Sequence, residues 1–367
     1  MKREATCTCI AYIPYNIMDP VTDHIIPSKP WGKQRPPRKI LAIRLQAMGD
    51  TIITLPYLQA LRNSLPPGTT IDLLTREEVD PVPRSLELFD QIYSIRGGRN
   101  FKKQLVWSAL LLPRLLWKRY DVVLDLQNNL ISRVVRKAIR PAAWSQFDKY
   151  SPRAAGERTR LTVEAAGLAT IVACNRFELK PQPGLTALLI KNGWNGSKLV
   201  VLNPAAAFTT RNWPIENYVA FAKLWLQQFP YTQFLVIGTS FIETKAHYLK
   251  KELGEQLIDL VGQTSPATAF AAIQLASFVL SEDSGLMHMA WVSGIPVMVL
   301  FGGTRSDWSR PLGAHSCFVD SSDLPCGNCM LAECPYGDVH CLTRFTPQQI
   351  FRQAMEHLQH CPQPPTT

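Results

Sequence analysis

The stretch from Ser277 to Gly303 narrows the possible folds more than any other part of the chain. A short apolar run, Ser277 to Leu280, leads into Ser281-Glu282-Asp283-Ser284-Gly285. A segment with helical apolar spacing follows, Leu286 to Val292. A second apolar run, Pro296 to Phe301, then enters a Gly302-Gly303 turn. Strand, polar turn, helix and strand in that order form the βαβ unit of a parallel sheet. Ligands of such sheets lie at the carboxyl ends of the strands, where helix N-termini point. Asp283, Ser284 and Gly285 fall there. The N–H groups of the helix start suit a phosphate. Asp283 suits a hydroxyl-rich ligand such as ribose, and His288 lies one turn further on. A simpler role for Asp283 and Ser284 is to cap the helix.

The same unit opens the first half. Lys39 to Leu45 reads as a strand and Gln46-Ala47-Met48-Gly49-Asp50 as a loop. Thr51 to Asn63 has helical spacing, and Thr70 to Leu74 is the next strand. With a single glycine in the loop, this is not a dinucleotide-binding fingerprint. Asp50 sits at the strand-to-helix junction. It reads either as a helix cap or as a carboxylate able to take a proton. Asp121 to Leu126 is a further strand.

Residues 181–196 hold two prolines and three glycines, and the domain boundary is placed there. The expected division is an N-terminal extension over 1–38, one domain over 39–182 and a second over 183–367. Lys198 to Asn203 restarts a sheet. Thr209, Thr210 and Arg211 follow that strand, and two hydroxyls with a guanidinium suit a diphosphate. Strands at 233–237 and 257–261 alternate with helices at 215–228, 243–251 and 266–275, so the second half is again a doubly wound βα domain.

Charge is uneven. Residues 1–180 hold 28 basic and 16 acidic side chains, while residues 181–367 hold 11 and 13. The first half is therefore expected to meet something anionic. Arg133, Arg136, Lys137 and Arg140 form a stripe at helical spacing, and Arg153, Arg158 and Arg160 continue the basic character. The pattern lacks the interleaved aromatics of a nucleic-acid binder, so no nucleic-acid partner is expected. Leu105 to Trp117 is very apolar but too short to span a bilayer. With Lys102, Lys103, Lys118 and Arg119 around it, it reads either as an interfacial helix on an anionic leaflet or as a core helix kinked at Pro113. Residues 1–38 are rich in Pro and basic residues, read as a solvated arm and lack the apolar core of a signal peptide. A cytoplasmic location follows as the expectation.

Cys326, Cys329, Cys334 and Cys341 are spaced C-x2-C-x4-C-x6-C in a Cys-rich loop, 326–341. Four thiols so close suit a structural zinc or iron, or else a compact loop of reduced thiols.

Taken together, these motifs resemble glycosyltransferase family 9, the ADP-heptose:lipopolysaccharide heptosyltransferases. The resemblance rests on Arg44 to Asp50, on Thr210-Arg211-Asn212-Trp213-Pro214, and on Asp283-Ser284-Gly285-Leu286-Met287-His288 with Gly294-Ile295-Pro296. The segment Cys341 to Pro347 adds to it, and the likeness covers roughly 39–360. It implies a GT-B fold, two Rossmann-like βα domains facing a central cleft. It also implies an inverting glycosyltransferase that moves a heptose from a nucleotide-sugar donor, ADP-heptose, to an anionic glycolipid acceptor, the lipopolysaccharide inner core, at the inner membrane surface. Asp50 matches the catalytic base, with Met48 and Gly49 in the acceptor-side loop. Thr209, Thr210, Arg211, Glu243, Asp283, Ser284, Gly285 and His288 match the nucleotide-sugar side. Arg211 stands where Lys is usual and Ser284 where Thr is usual. Glu243 stands in for an acidic residue usually nearer Gly238. No DxD metal motif is present, in keeping with transfer that needs no cofactor. The alternatives are a related enzyme with another donor sugar or a protein acceptor, and a Cys-cluster metalloprotein on a transferase fold that has lost activity.

Overall fold

The computed structural model describes residues 26–361. Two compact units divide them, one ending at Pro181 and the other starting at Gln182.

The first unit is a six-stranded sheet. Its strands are β1 (Ser28–Lys29), β2 (Lys39–Ile43), β3 (Thr70–Arg76), β4 (Gln91–Ile95), β5 (Val122–Asp125) and β6 (Ala143–Gln146). Their order is β1-β6-β5-β2-β3-β4, and all neighbours are parallel except β1 against β6. Ile40 to Ile43 and Val122 to Asp125 are buried throughout, as strands covered by helices on both faces require. The chain reverses direction across the sheet between β2 and β5, so a crevice opens at their carboxyl ends.

Three features of this unit depart from the sequence reading. The short strands β4 and β6 are additional, being four or five residues long and partly exposed. The helix after β2 runs Met48–Ser64, so Gly49 and Asp50 are helical, not loop. Residues 26–38 are not a free arm. Trp31 N–H donates to the Ala166 carbonyl at 2.8 Å, and the Arg38 N–H donates to Asp121 at 2.8 Å. The rest of the expected arm, 1–25, lies outside the described residues.

The apolar segment around 105–117 forms the helix Phe101–Lys118. It is no core helix: within it only Ser108 and Leu115 are buried. Trp107, Leu111 and Leu115 pack on the core of β2 and β5, and the opposite side is open. Among the described residues no helix is long and apolar enough to cross a membrane.

The second unit is a wholly parallel sheet of β7 (Lys198–Asn203), β8 (Thr232–Val236), β9 (Leu257–Asp259), β10 (Ala276–Glu282), β11 (Val297–Leu300) and β12 (Ser316–Val319). The order is β12-β11-β10-β7-β8-β9, so direction reverses between β7 and β10. Trp213, Tyr218, Phe221, Trp225 and Phe278 fill one face of this sheet. Trp213 and Tyr218 meet edge to face at 5.2 Å. The Trp213 indole N–H donates to the Phe345 carbonyl at 3.0 Å, which satisfies its polar edge within the core. The last helix, Pro347–His360, starts with a reciprocal cap between Thr346 and Gln349.

Candidate functional site

Each unit carries one constellation at its own switch point. In the first, the chain leaves β2 through Arg44. Its side chain is buried, with the guanidinium 5.2 Å from the centre of the Phe147 ring, and it donates to the Leu126 carbonyl at the end of β5. The other arm of the guanidinium lies 2.8 Å from Asp50 Oδ2. The Ala47 N–H donates to the same oxygen at 3.0 Å. Asp50 is thus the third residue of its helix and reaches back to the N-cap, as such carboxylates do. Across the crevice, Gln127 Oε1 accepts the N–H groups of Leu45 and Gln46 at 2.9 and 3.0 Å. Both walls of the switch point therefore hold the loop that carries Asp50.

Asp50 faces a cavity of about 750 Å³, also lined by Met48, Arg76, Glu78, Arg99 and Gln104. Arg76 grips Glu78 with two hydrogen bonds of 2.9 and 3.0 Å and donates to Gln46 Oε1 at 3.0 Å. That grip holds the Glu78 carboxyl below the usual carboxylate range. Gly49 is not among the lining residues. Arg44 and Arg76 were missed as functional residues. The available signal was an arginine at the carboxyl end of each of two largely buried strands, Arg44 directly after β2 and Arg76 as the last residue of β3.

In the second unit, the Asn203 amide bridges the switch point and donates to both Ser281 Oγ and Ser284 Oγ at 2.7 Å. Ser284 is the N-cap residue of the helix Gly285–Val292, yet no side chain caps the first turn. Asp283 does not cap either: its Oδ2 lies 3.3 Å from Arg211 Nη1. Arg211 also covers the Phe208 ring at 4.6 Å. The structure thus brings Arg211, Asp283, Ser284 and Gly285 together around an uncapped helix start, an arrangement suited to an anionic ligand. His288 is buried in the first turns of that helix, 6.1 Å ring to ring from Trp291.

Two expectations for this side need correction. The Thr209 and Thr210 hydroxyls are not offered to a diphosphate. They donate to the carbonyls of Ala332 and Leu331, at 2.9 and 2.5 Å, and so fasten the Cys-rich loop. Glu243 is exposed at the start of its helix and takes no part in the ion pair of Arg211 with Asp283. From that helix it is Lys245 that reaches inward, to the Pro204 carbonyl at 2.7 Å and to Asn212 Oδ1.

Beneath this constellation lies Glu282, fully buried, accepting the Ala206 and Trp213 N–H groups at 3.0 and 2.8 Å. Burial pushes its carboxyl up to about 7, against the pull of Lys245 and the two N–H groups. Glu282 ties the loop after β7 to the end of β10. It therefore places Arg211 without touching the anion site.

The four cysteines expected to hold a zinc or iron lie near one another in the loop 326–341. Cys341 feels Cys329, Cys334 and Cys326 nearby, and burial first, then these thiols, pushes its own thiol up to about 11. Among the described residues, however, no three His, Cys, Asp or Glu side chains converge on a metal position. Cys334 points to the Asp338 carboxylate and Cys341 to the Thr210 carbonyl, each at 3.8 Å. The loop that carries them is fastened by backbone: the Met330 N–H donates to the Gly303 carbonyl at 2.7 Å, and the Gly303 N–H to the Thr210 carbonyl at 2.8 Å.

Two doubly wound domains, each with polar groups gathered at its switch point, define the class of nucleotide-dependent α/β proteins. Within it, the family model described as "Glycosyltransferase family 9 (heptosyltransferase)" matches residues 110–340, and the chain belongs to that family. Lipooligosaccharide heptosyltransferase 2 of Campylobacter jejuni is 26% identical over 171 residues, 45% of this chain and 53% of that protein. The chain thus spans about half the length of that relative. Lipopolysaccharide heptosyltransferase 1 of Pseudomonas aeruginosa is 23% identical over 86% of this chain and 96% of its own. An E. coli heptosyltransferase solved with ADP-2-deoxy-2-fluoro heptose shares the fold, with a TM-score of 0.61 at 18% identity over 87% of this chain and 99% of that one.

Proposed function

We propose that this protein transfers a heptose, with inversion, from ADP-heptose to a hydroxyl of an anionic, lipid-linked glycan of the lipopolysaccharide core, at the inner face of the inner membrane. Membership of the heptosyltransferase family and the ADP-sugar in the solved E. coli relative support the donor. The lipopolysaccharide named for the P. aeruginosa relative supports the acceptor.

The observation that carries the chemistry is Asp50, held on one oxygen by Arg44 and by the Ala47 N–H at the wall of a cavity. Both contacts use Oδ2. Among the described residues Oδ1 has no such partner and is the oxygen assigned to the acceptor proton. As that proton moves to Asp50, the acceptor oxygen bonds to the anomeric carbon and the bond from that carbon to the phosphate oxygen breaks. The electron pair leaves with ADP. Attack opposite the leaving group inverts the configuration. Arg211 and the N–H groups of the Gly285–Val292 helix start are assigned to the diphosphate, where negative charge grows. On this reading Arg211 exchanges its Asp283 partner for the diphosphate, and Asp283 turns to the ribose.

The test is Asp50→Asn with ADP-heptose and a purified core acceptor. Transfer should fall by roughly 10²- to 10⁴-fold, while the dissociation constant for ADP stays within about twofold. Wild-type turnover in the variant would remove Asp50 as the base. A wild-type product of retained configuration by NMR would remove the single-displacement route.

A further inference from the structure

The helix Phe101–Lys118 carries a surface that the catalytic reading leaves unused. At 100° per residue, Phe101, Leu105, Val106, Leu110, Leu116 and Trp117 fall on roughly half of its circumference, opposite the core-facing Trp107, Leu111 and Leu115. All six are exposed, Leu110 to 65% and Trp117 to 81%. An apolar face of this kind on a soluble domain marks a contact surface.

The charge around it says what it contacts. From Arg96 to Phe147 there are eleven Lys and Arg against two Asp. Neither Asp faces outward with free charge: Asp121 is held by Arg35 and backbone N–H groups, and Asp125 is fully buried beside Arg136. Lys102, Lys103 and Arg114 are exposed on the helix itself. The helix packed beside it, Leu130–Ile139, exposes Leu130 and Val134 together with Arg133 and Lys137. A second copy of this face would meet it with like charge, since a two-fold contact sets each patch against itself. An anionic bilayer satisfies both properties: the apolar side chains enter the acyl boundary and the cations meet the headgroups.

We propose that the outer face of the Phe101–Lys118 helix docks the protein on anionic lipid bilayers. Its N-terminal turn gives the docking a purpose. Gly98, Arg99 and Gln104 line the cavity that Asp50 faces, and the Gln104 amide donates to the Gly98 carbonyl at 2.6 Å. A bilayer on this face therefore lies next to the rim of the cavity, where a lipid-linked acceptor presents its sugar. That purpose rests on the proposed function. The docking does not.

Flotation with vesicles, without donor or acceptor, tests the docking alone. Full-length protein should float with phosphatidylglycerol-containing vesicles, remain behind with pure phosphatidylcholine, and be released by high salt. The double variant Leu110→Glu/Trp117→Glu should lose at least about tenfold in bound fraction, with an unchanged melting temperature, because both side chains are exposed. Lys102→Glu/Lys103→Glu should lose about fivefold or more per charge. The proposal fails if the wild type ignores anionic vesicles, or if both variants float as it does. It also fails if ultracentrifugation finds a dimer that the Leu110→Glu/Trp117→Glu change dissolves. Failure here leaves Asp50 untouched, and loss of transfer in Asp50→Asn says nothing about flotation.

Discussion

Arg44 and Asp50 meet at 2.8 Å across the first turn of a helix, and the same buried guanidinium also holds the Leu126 carbonyl at the end of the neighbouring strand. One side chain thus joins β2, β5 and the proposed base. The Phe147 ring lies against the guanidinium fork, with its centre 5.2 Å away.

Lysine cannot reproduce that fork. Arg44→Lys should keep the fold but let Asp50 wander, with kcat falling by up to about 100-fold at nearly constant KM for the donor. Steady-state kinetics at saturating acceptor measure it. An unchanged kcat would mean that Asp50 needs no such support.

Arg211→Ala removes the cation assigned to the diphosphate. Charged hydrogen bonds contribute about 1.5–3 kcal/mol, so ADP affinity should drop by roughly 10- to 100-fold by calorimetry. Equal affinity in the variant would return Arg211 to a structural role beside Asp283 and Phe208.

Thr210→Val separates two roles for one hydroxyl. In the structure it holds the Leu331 carbonyl. The variant should leave ADP binding within about twofold and raise the labelling rate of Cys329 and Cys341 by about fivefold, the equivalent of one lost hydrogen bond. A large loss of ADP affinity with unchanged labelling would restore the diphosphate contact.

Glu282 gives a pH signature. Its carboxyl goes from an ordinary 4.5 to about 7 on folding, so the folded protein holds this proton more tightly than the unfolded chain does. The cost to stability is absent below about pH 4.5, grows as pH rises through the window, and is complete above about 7, on the order of 3 kcal/mol at most. Glu282→Gln cannot accept both N–H groups and should be less stable at pH 4.5. Between pH 4.5 and 7.5 its deficit against the wild type should shrink. A constant difference in melting temperature over that range would show that Glu282 does not titrate there.

Much of this architecture was legible in the chain because parallel strands buried on both faces are short apolar runs ending in polar turns. Ile40 to Ile43, Leu199 to Leu202 and Phe278 to Leu280 show that pattern directly. The short outer strands β4, β6 and β12 did not, because their partial exposure breaks the apolar run. Asp50, Arg211 and Asp283 were singled out because a charged residue in the turn after a strand has few structural reasons to be there. The hydroxyls of Thr209 and Thr210 were misassigned for a physical reason: their partners, Leu331 and Ala332, are over 120 residues away and contribute only carbonyls. No residue type marks a carbonyl, and so no motif announces such a bond. Lys245 and Glu282 were passed over because their partners, the Pro204 carbonyl and Asn212 amide oxygen for one and the Ala206 and Trp213 N–H groups for the other, are distant in sequence and mark no motif.

The Gly302-Gly303 turn shows how closely these parts are joined. A methyl group on Gly302 would lie 2.0 Å from the Thr210 carbonyl oxygen, and one on Gly303 would lie 3.0 Å from the Cys329 sulfur. Three stretches of chain from distant parts of the sequence converge there, with room for a hydrogen atom and nothing larger. Alanine at Gly302 would push the Thr210 turn outward and carry Arg211 with it. The placement of Arg211, and with it the proposed grip on the diphosphate, is therefore set in part by a residue with no side chain, at a position where nothing can be added.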